Sequence, residues 1–140
     1  MPYEITFTKK LDFGSESKYF NECCFGGDIV ANELLPLVQE SYHDIQSEQE
    51  DWGWFIWFKN KNTFYAIDIF TDDPLTGEYR IHLTSRHKKK SLLWSSDVIE
   101  DTPELENLRE KRKVQLSKFS ASNIFIVKVD SEYNPKDENV

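Results

Sequence analysis

The sequence predicts an α+β domain of two layers: a largely antiparallel sheet of five to six strands with two helices packed on one face, in the order β-α-β-β-β-(β)-α-β. Three observations predict it. Segments of alternating or continuous apolar character recur along the chain, two other stretches repeat apolar residues at helical spacing, and the central strands are joined by links too short for parallel crossovers.

Tyr3, Ile5 and Phe7 alternate with Glu4, Thr6 and Thr8, the pattern of a half-buried strand. A loop follows to Gly27, and Asp28 after the Gly26-Gly27 pair is placed to cap a helix by accepting an orphan N–H. Val30, Leu34, Val38, Tyr42 and Ile45 then form one helical face. Pro36 inside that face removes one backbone bond and predicts a kink or a second start. Residues 52–58 are apolar on both faces, as are residues 63–70 apart from Asp68, so both read as interior strands. Lys59 to Asn62 make the polar turn of a hairpin between them, and Pro74 and Gly77 supply the next turn. Residues 78–85 alternate. Leu92, Leu93 and Trp94 suggest a short further strand beyond the basic run Arg86 to Lys90. Thr102, Pro103 and Glu104 are a strong helix start, with a hydroxyl cap, a proline whose missing donor costs nothing, and a carboxylate at the positive end of the dipole. Its stripe is Leu105, Leu108, the stem of Arg112, Leu116 and Phe119. Residues 124–129 close the sheet. Residues 1–133 are therefore expected to be a single domain and residues 134–140 a flexible tail.

Turning the first hairpin at Asn60-Lys61 sets Trp57 opposite Phe64, and turning the second at Pro74-Leu75 sets Phe70 opposite Tyr79. One face then collects Phe55, Trp57, Phe64, Phe70, Tyr79, Ile81 and Leu83 and is assigned to the helix-covered core. The other carries Trp52, Trp54 and Ile56 beside Arg80 and His82. Aromatic and Arg side chains dominate interface hot spots, so Trp52, Trp54, Arg80 and His82 are the candidate binding residues. The competing expectation is that the loop of residues 11–25 covers that face. Asp68 joins the candidates as an acid on the presumed core face, where it must be paired, neutral or at an opening; Arg112 or a helix N-terminus would pair it structurally.

The 140 residues carry 17 Lys and Arg against 25 Asp and Glu, a formal charge of −8. Backbone phosphates repel such a surplus, so nucleic acid is not the expected partner. No apolar run approaches the ~20 residues that span a bilayer, no secretory signal pattern opens the chain, and a cytoplasmic location is expected. Adjacent Cys23 and Cys24 lack metal-site or thioredoxin spacing and read as two ordinary thiols. No phosphate loop, nucleophile elbow or His-Glu-x-x-His motif occurs, and the three His supply no ligand set. Neither a catalytic residue, a metal nor a cofactor is assigned. The expected function is a small acidic, non-enzymatic protein that docks on another macromolecule, with a protein as the expected partner, as inhibitors and immunity-like accessory proteins do. The alternative is a small enzyme or small-molecule-binding domain using His82 and Asp68 around an aromatic pocket.

Overall fold

Strand β1 (Tyr3–Thr8) buries Tyr3, Ile5 and Phe7 and leaves Glu4, Thr6 and Thr8 half-covered, as its alternation requires. The structure, a computed structural model, describes residues 3–90, 95–99, 102–130 and 132–135, with backbone alone for 88–90 and 95–99. After β1 come helix α1 (Gly27–Ser41), strands β2 (Gln46–Glu50), β3 (Gly53–Asn60), β4 (Thr63–Asp73), β5 (Glu78–Lys90) and β6 (Ser95–Ile99), helix α2 (Pro103–Lys118) and strand β7 (Ser122–Lys128). All strand pairs are antiparallel, and the order is β2-β3-β4-β5-β1-β7 with β6 beside the second half of β5. The α+β class and the one-sided helix layer are as the sequence predicts. The expected strand at Leu92 to Trp94 and the tail at 136–140 lie outside the described residues.

Helix α1 starts two residues earlier than its acid suggests. Gly26, not Asp28, is the N-cap, at φ 80°. A Cβ there would collide with the Tyr79 hydroxyl, so only glycine fits both the left-handed backbone and the contact. Asp28 sits inside the first turn, where it accepts from the Tyr19 hydroxyl at 2.5 Å and pairs with Lys18 at 3.5 Å. Val30, Leu34 and Val38 are buried as the spacing predicts, and the helix continues through Pro36. The side-chain amide of Gln115 donates to the carbonyls of Glu33 and Leu34, in the turn that the proline interrupts.

Helix α2 begins as its sequence directs: Thr102 Oγ1 accepts the Leu105 N–H at 3.1 Å, and Pro103 follows in the first turn. Glu104 then fastens the helix to the sheet by accepting from Tyr42 at 2.7 Å, Asn60 at 2.8 Å and Tyr65 at 2.7 Å. Burial alone would push its carboxyl upward, but these three donors outweigh it and hold the group below its ordinary value. Arg112 contributes more than its stem. The residue is 1% exposed, its Nε and Nη1 have no hydrogen-bond partner among the described residues, and burial pushes its pKa down to about 10.

The registers correct the predicted faces. Trp57 pairs with Ala66, because the first hairpin turns at Lys61-Asn62; the shift is by two, so the two faces of β3 and β4 keep their members. In the second hairpin Phe70 pairs with Arg80 rather than Tyr79, since Asp72 is an extra residue at a bulge between Thr71 and Asp73. A one-residue slip exchanges the faces of β5 relative to those of β3 and β4: β5 keeps its predicted core members Tyr79, Ile81 and Leu83, and β3 and β4 turn their other faces to the helices. The core under the helices is therefore Ile56, Phe58, Tyr65, Ile67, Ile69, Tyr79, Ile81 and Leu83 with β1, and not Phe55, Trp57, Phe64 and Phe70.

Candidate functional site: the helix-free face of the sheet

Parity along β3, β4 and β5 places Phe55, Trp57, Asp68, Phe70, Arg80, His82 and Thr84 on the face away from the helices. Trp52, in the turn before β3, joins them by packing on Phe70 at 5.1 Å between ring centroids. Four of the five sequence candidates, Trp52, Asp68, Arg80 and His82, thus share one surface. Trp54 does not. Its side chain lies against Gly27 of α1 on the opposite face, and its indole N–H donates to Ser47 Oγ at 3.1 Å. The loop of residues 11–25 does not supply the cover either. Its short helical turns at Glu16–Lys18 and Glu22–Cys24 sit at the β2–β3 end, where Phe20 N–H donates to Gln49 and Asn21 donates to the Asp51 carbonyl. Both cysteines are free, Cys23 exposed and Cys24 buried with its thiol donating to the Glu50 carbonyl.

Arg80 lies over the Phe70 ring, 4.5 Å from its centroid, and reaches Asp72 with Nε and Nη2, each at 3.2 Å. Asp72, the extra residue of the bulge, meets this guanidinium from the end of β4. His82 is 5% exposed, with Phe70 4.9 Å from its ring centroid on a tilted contact. Its Nε2 stands between Glu4 Oε1 at 3.1 Å and Arg80 Nη1 at 3.3 Å. Burial, the largest influence, lowers the imidazole pKa, and the Arg80 cation adds to it against the raising effect of Glu4, so the ring is neutral near pH 7. Asp68 pairs across the strands with His82 and with Phe55. It is not the partner of Arg112. Its carboxylate accepts the Trp57 indole N–H at 2.8 Å, and burial raises its pKa above the ordinary value against the lowering effects of Trp57 and Arg86.

Past β7 the chain turns back, and residues 132–135 lie on this face's side of it, with Tyr133 against His82. Tyr133 stacks on His82, centroid to centroid 4.0 Å at 11° between planes, and burial raises the pKa of its hydroxyl above the ordinary value. Sequence reasoning missed Tyr133 because it stands at the edge of a polar tail, and missed Trp57 and Phe70 because the slipped register sent them to the core. Glu4 carried a usable signal: it is the β1 residue opposite in parity to Ile5, so any pairing of β1 with β5 brings it to Arg80 and His82.

Around this cluster the face stays apolar and accessible at its margins. Phe64 is 39% exposed and Phe125 63% exposed, and Val127 is also exposed. A groove of about 360 Å³ runs beside Phe125, lined among others by Thr6, Thr8, Asp72, Glu78 and Asn123. Glu48, Glu50, Asp51, Asp72 and Asp73 gather at one end of the β3–β4–β5 unit, and Lys59, Lys61, Arg86 and His87 at the other. Among the described residues no cluster of His, Cys, Asp and Glu could hold a metal ion, and no helix is long and apolar enough to cross a membrane. No protein-family model, curated protein or solved structure matches the chain.

Proposed function

We propose that this chain is a small acidic, non-enzymatic binding protein that docks on another protein through the helix-free face of its sheet, in the manner of an inhibitor or accessory subunit. The observation that supports this reading is the gathering of Trp52, Trp57, Phe64 and Phe70 with Arg80 on a face that neither helix covers. Aromatic and Arg anchors in a desolvated centre, ringed by accessible apolar and charged residues, are the composition that carries most binding energy at protein interfaces. A cytoplasmic setting belongs to the same proposal, and the two free thiols agree with it.

The test uses exposed positions whose substitution leaves the core alone. Phe64→Asp and Phe125→Asp should each weaken capture of the native partner, measured again with the purified partner, by at least about tenfold. Val114→Asp, on the 50% exposed side of α2, should not. Equal binding by all three variants would remove the proposal. The cross-strand pairing of Asp68 with His82 favours a second reading, a small-molecule site with those two groups as its polar end. It predicts fragment hits by ligand-observed NMR that disappear in both Asp68→Asn and His82→Gln; hits indifferent to both would exclude it.

A further inference from the structure

We infer that the groove beside Phe125 receives an arginine side chain of the docking partner, with the guanidinium flat against the Phe125 ring and paired with Glu78. The inference rests on the docking reading for the source of that arginine, but the groove and its charge are features of this chain alone.

What β1 places on the helix-free face at this level leaves a depression. Phe7 turns to the core and stacks on Tyr79 at 5.5 Å between ring centroids, so the floor is backbone with the small side chains of Thr6 and Thr8. Register sets the walls. Thr6 pairs with Arg80 on β5 and Phe125 on β7, and Thr8 pairs with Glu78 and Ser122. The walls are therefore two strand spacings apart, about 10 Å. A bulge in β7, with Asn123 at φ 53°, sets three residue steps from Ser122 to Phe125 against two on β1. The resulting volume of about 360 Å³ is near the lower end for ligand pockets and suits one side chain.

The charge and the ring in this groove are unanswered. Glu78 is exposed, and its carboxylate has no ion-pair or hydrogen-bond partner among the described residues. Lys9, the next residue after β1, lies instead over the Phe119 ring at 5.2 Å. The Phe125 ring is 63% exposed, with neither a second ring nor a cation against it among the described residues. Asp72, the other carboxylate of the groove, already holds Arg80 Nε and Nη2 at 3.2 Å. That pair displays the completed arrangement, because Arg80 lies over the Phe70 ring at 4.5 Å while Asp72 meets its edge. Phe125 and Glu78 offer the same two elements, an aromatic face and a carboxylate, without the cation between them. An ammonium would answer the charge, but only a guanidinium presents a plane to the ring and a fork of N–H groups to the carboxylate at once. Two carboxylates against the single Arg80 cation leave the groove negative in a chain of formal charge −8, so an anionic occupant is repelled.

The experiment titrates acetyl-Gly-Arg-Gly-amide into the isotope-labelled chain and follows the amide resonances of Thr6, Thr8, Glu78 and Phe125. The peptide should shift them saturably, on the order of millimolar, and at least about tenfold more tightly than the same peptide with neutral citrulline in place of arginine. Glu78→Gln and Phe125→Leu should each weaken it about threefold, and the double variant about tenfold. Both positions are exposed, and either single variant suffices if the other fails to keep the native amide spectrum. Several results would each overturn the inference: no saturable shift, shifts centred on Phe64 and Phe70 instead, equal binding of the citrulline or a lysine peptide, or shifts of the same resonances on concentrating the chain alone, which would make the occupant a second copy. With the purified partner, Glu78→Arg should lower affinity at least about tenfold. Unchanged affinity there, with Phe64→Asp still disruptive, would sink the partner's arginine while docking stands; peptide binding with Phe64→Asp harmless to capture would sink docking while the groove stands.

Discussion

His82 has the environment most able to turn protonation into a change in stability. Its folded pKa lies below the ordinary 6.5, with burial the main cause, so the unfolded chain takes up the proton first as pH falls. Stability is therefore full above pH 6.5 and is lost as pH falls from there toward the folded value. Urea unfolding midpoints should decline over that window for the unaltered chain and decline less for His82→Gln; equal slopes would mean that Glu4 compensates the burial completely. The sequence marked His82 because the predicted pairing set it on one face with Trp52, Trp54 and Arg80. What it could not show was the company of the ring. Glu4 and Tyr133 stand at opposite ends of the chain, and nothing local to either announces the meeting.

At the scale of the elements, the segments with a clear period or cap were legible: β1 by alternation, α2 by Thr102-Pro103-Glu104, and β7 by its run of Ile and Val. Two features were not. Strand β2 reads Gln46-Ser47-Glu48-Gln49-Glu50, with no apolar residue to give a period, and it is a strand because β3 offers it an edge. The Asp72 bulge lies in a stretch whose Asp-Asp-Pro composition marks a turn, and turn residues do not reveal how many of them remain in the ladder. Helix α2 holds the other surprise, the buried guanidinium of Arg112, whose Nε and Nη1 have no hydrogen-bond partner among the described residues and which shares its layer with Leu105, Leu108 and Leu116. A cation taken out of water without a counter-charge costs more than an apolar group of similar length. Arg112→Met should consequently raise stability by about 1–3 kcal/mol in guanidinium unfolding at pH 7. A loss of stability would show that Nε and Nη1 find partners in solution.

Across the whole molecule, register matters more than composition. The sequence supplied the right aromatic and cationic residues for a docking face but assigned half of them to the wrong side, because one extra residue in a turn reverses every side chain that follows. The polarity of charge is indifferent to register, since moving a strand by one or two positions does not carry Glu48 or Lys61 to the far end. That polarity acts over ~8–10 Å at physiological salt. The acidic end, with Glu48, Glu50 and Asp73, should speed encounter with a partner whose surface is basic, and the association rate should fall as salt rises while dissociation changes little. An association rate indifferent to salt would argue that the two ends are only solvated turns. The position of β1 carries a further consequence. Ile5 lies between Ile81 on β5 and Ile126 on β7, so β1 is enclosed by two strands that follow it at long range. On the ribosome it cannot pair until β5 has emerged, and its other edge stays open until β7 follows. Such distant closure places refolding among the slower, millisecond-to-second class of small domains, and makes the nascent chain a natural client for chaperones.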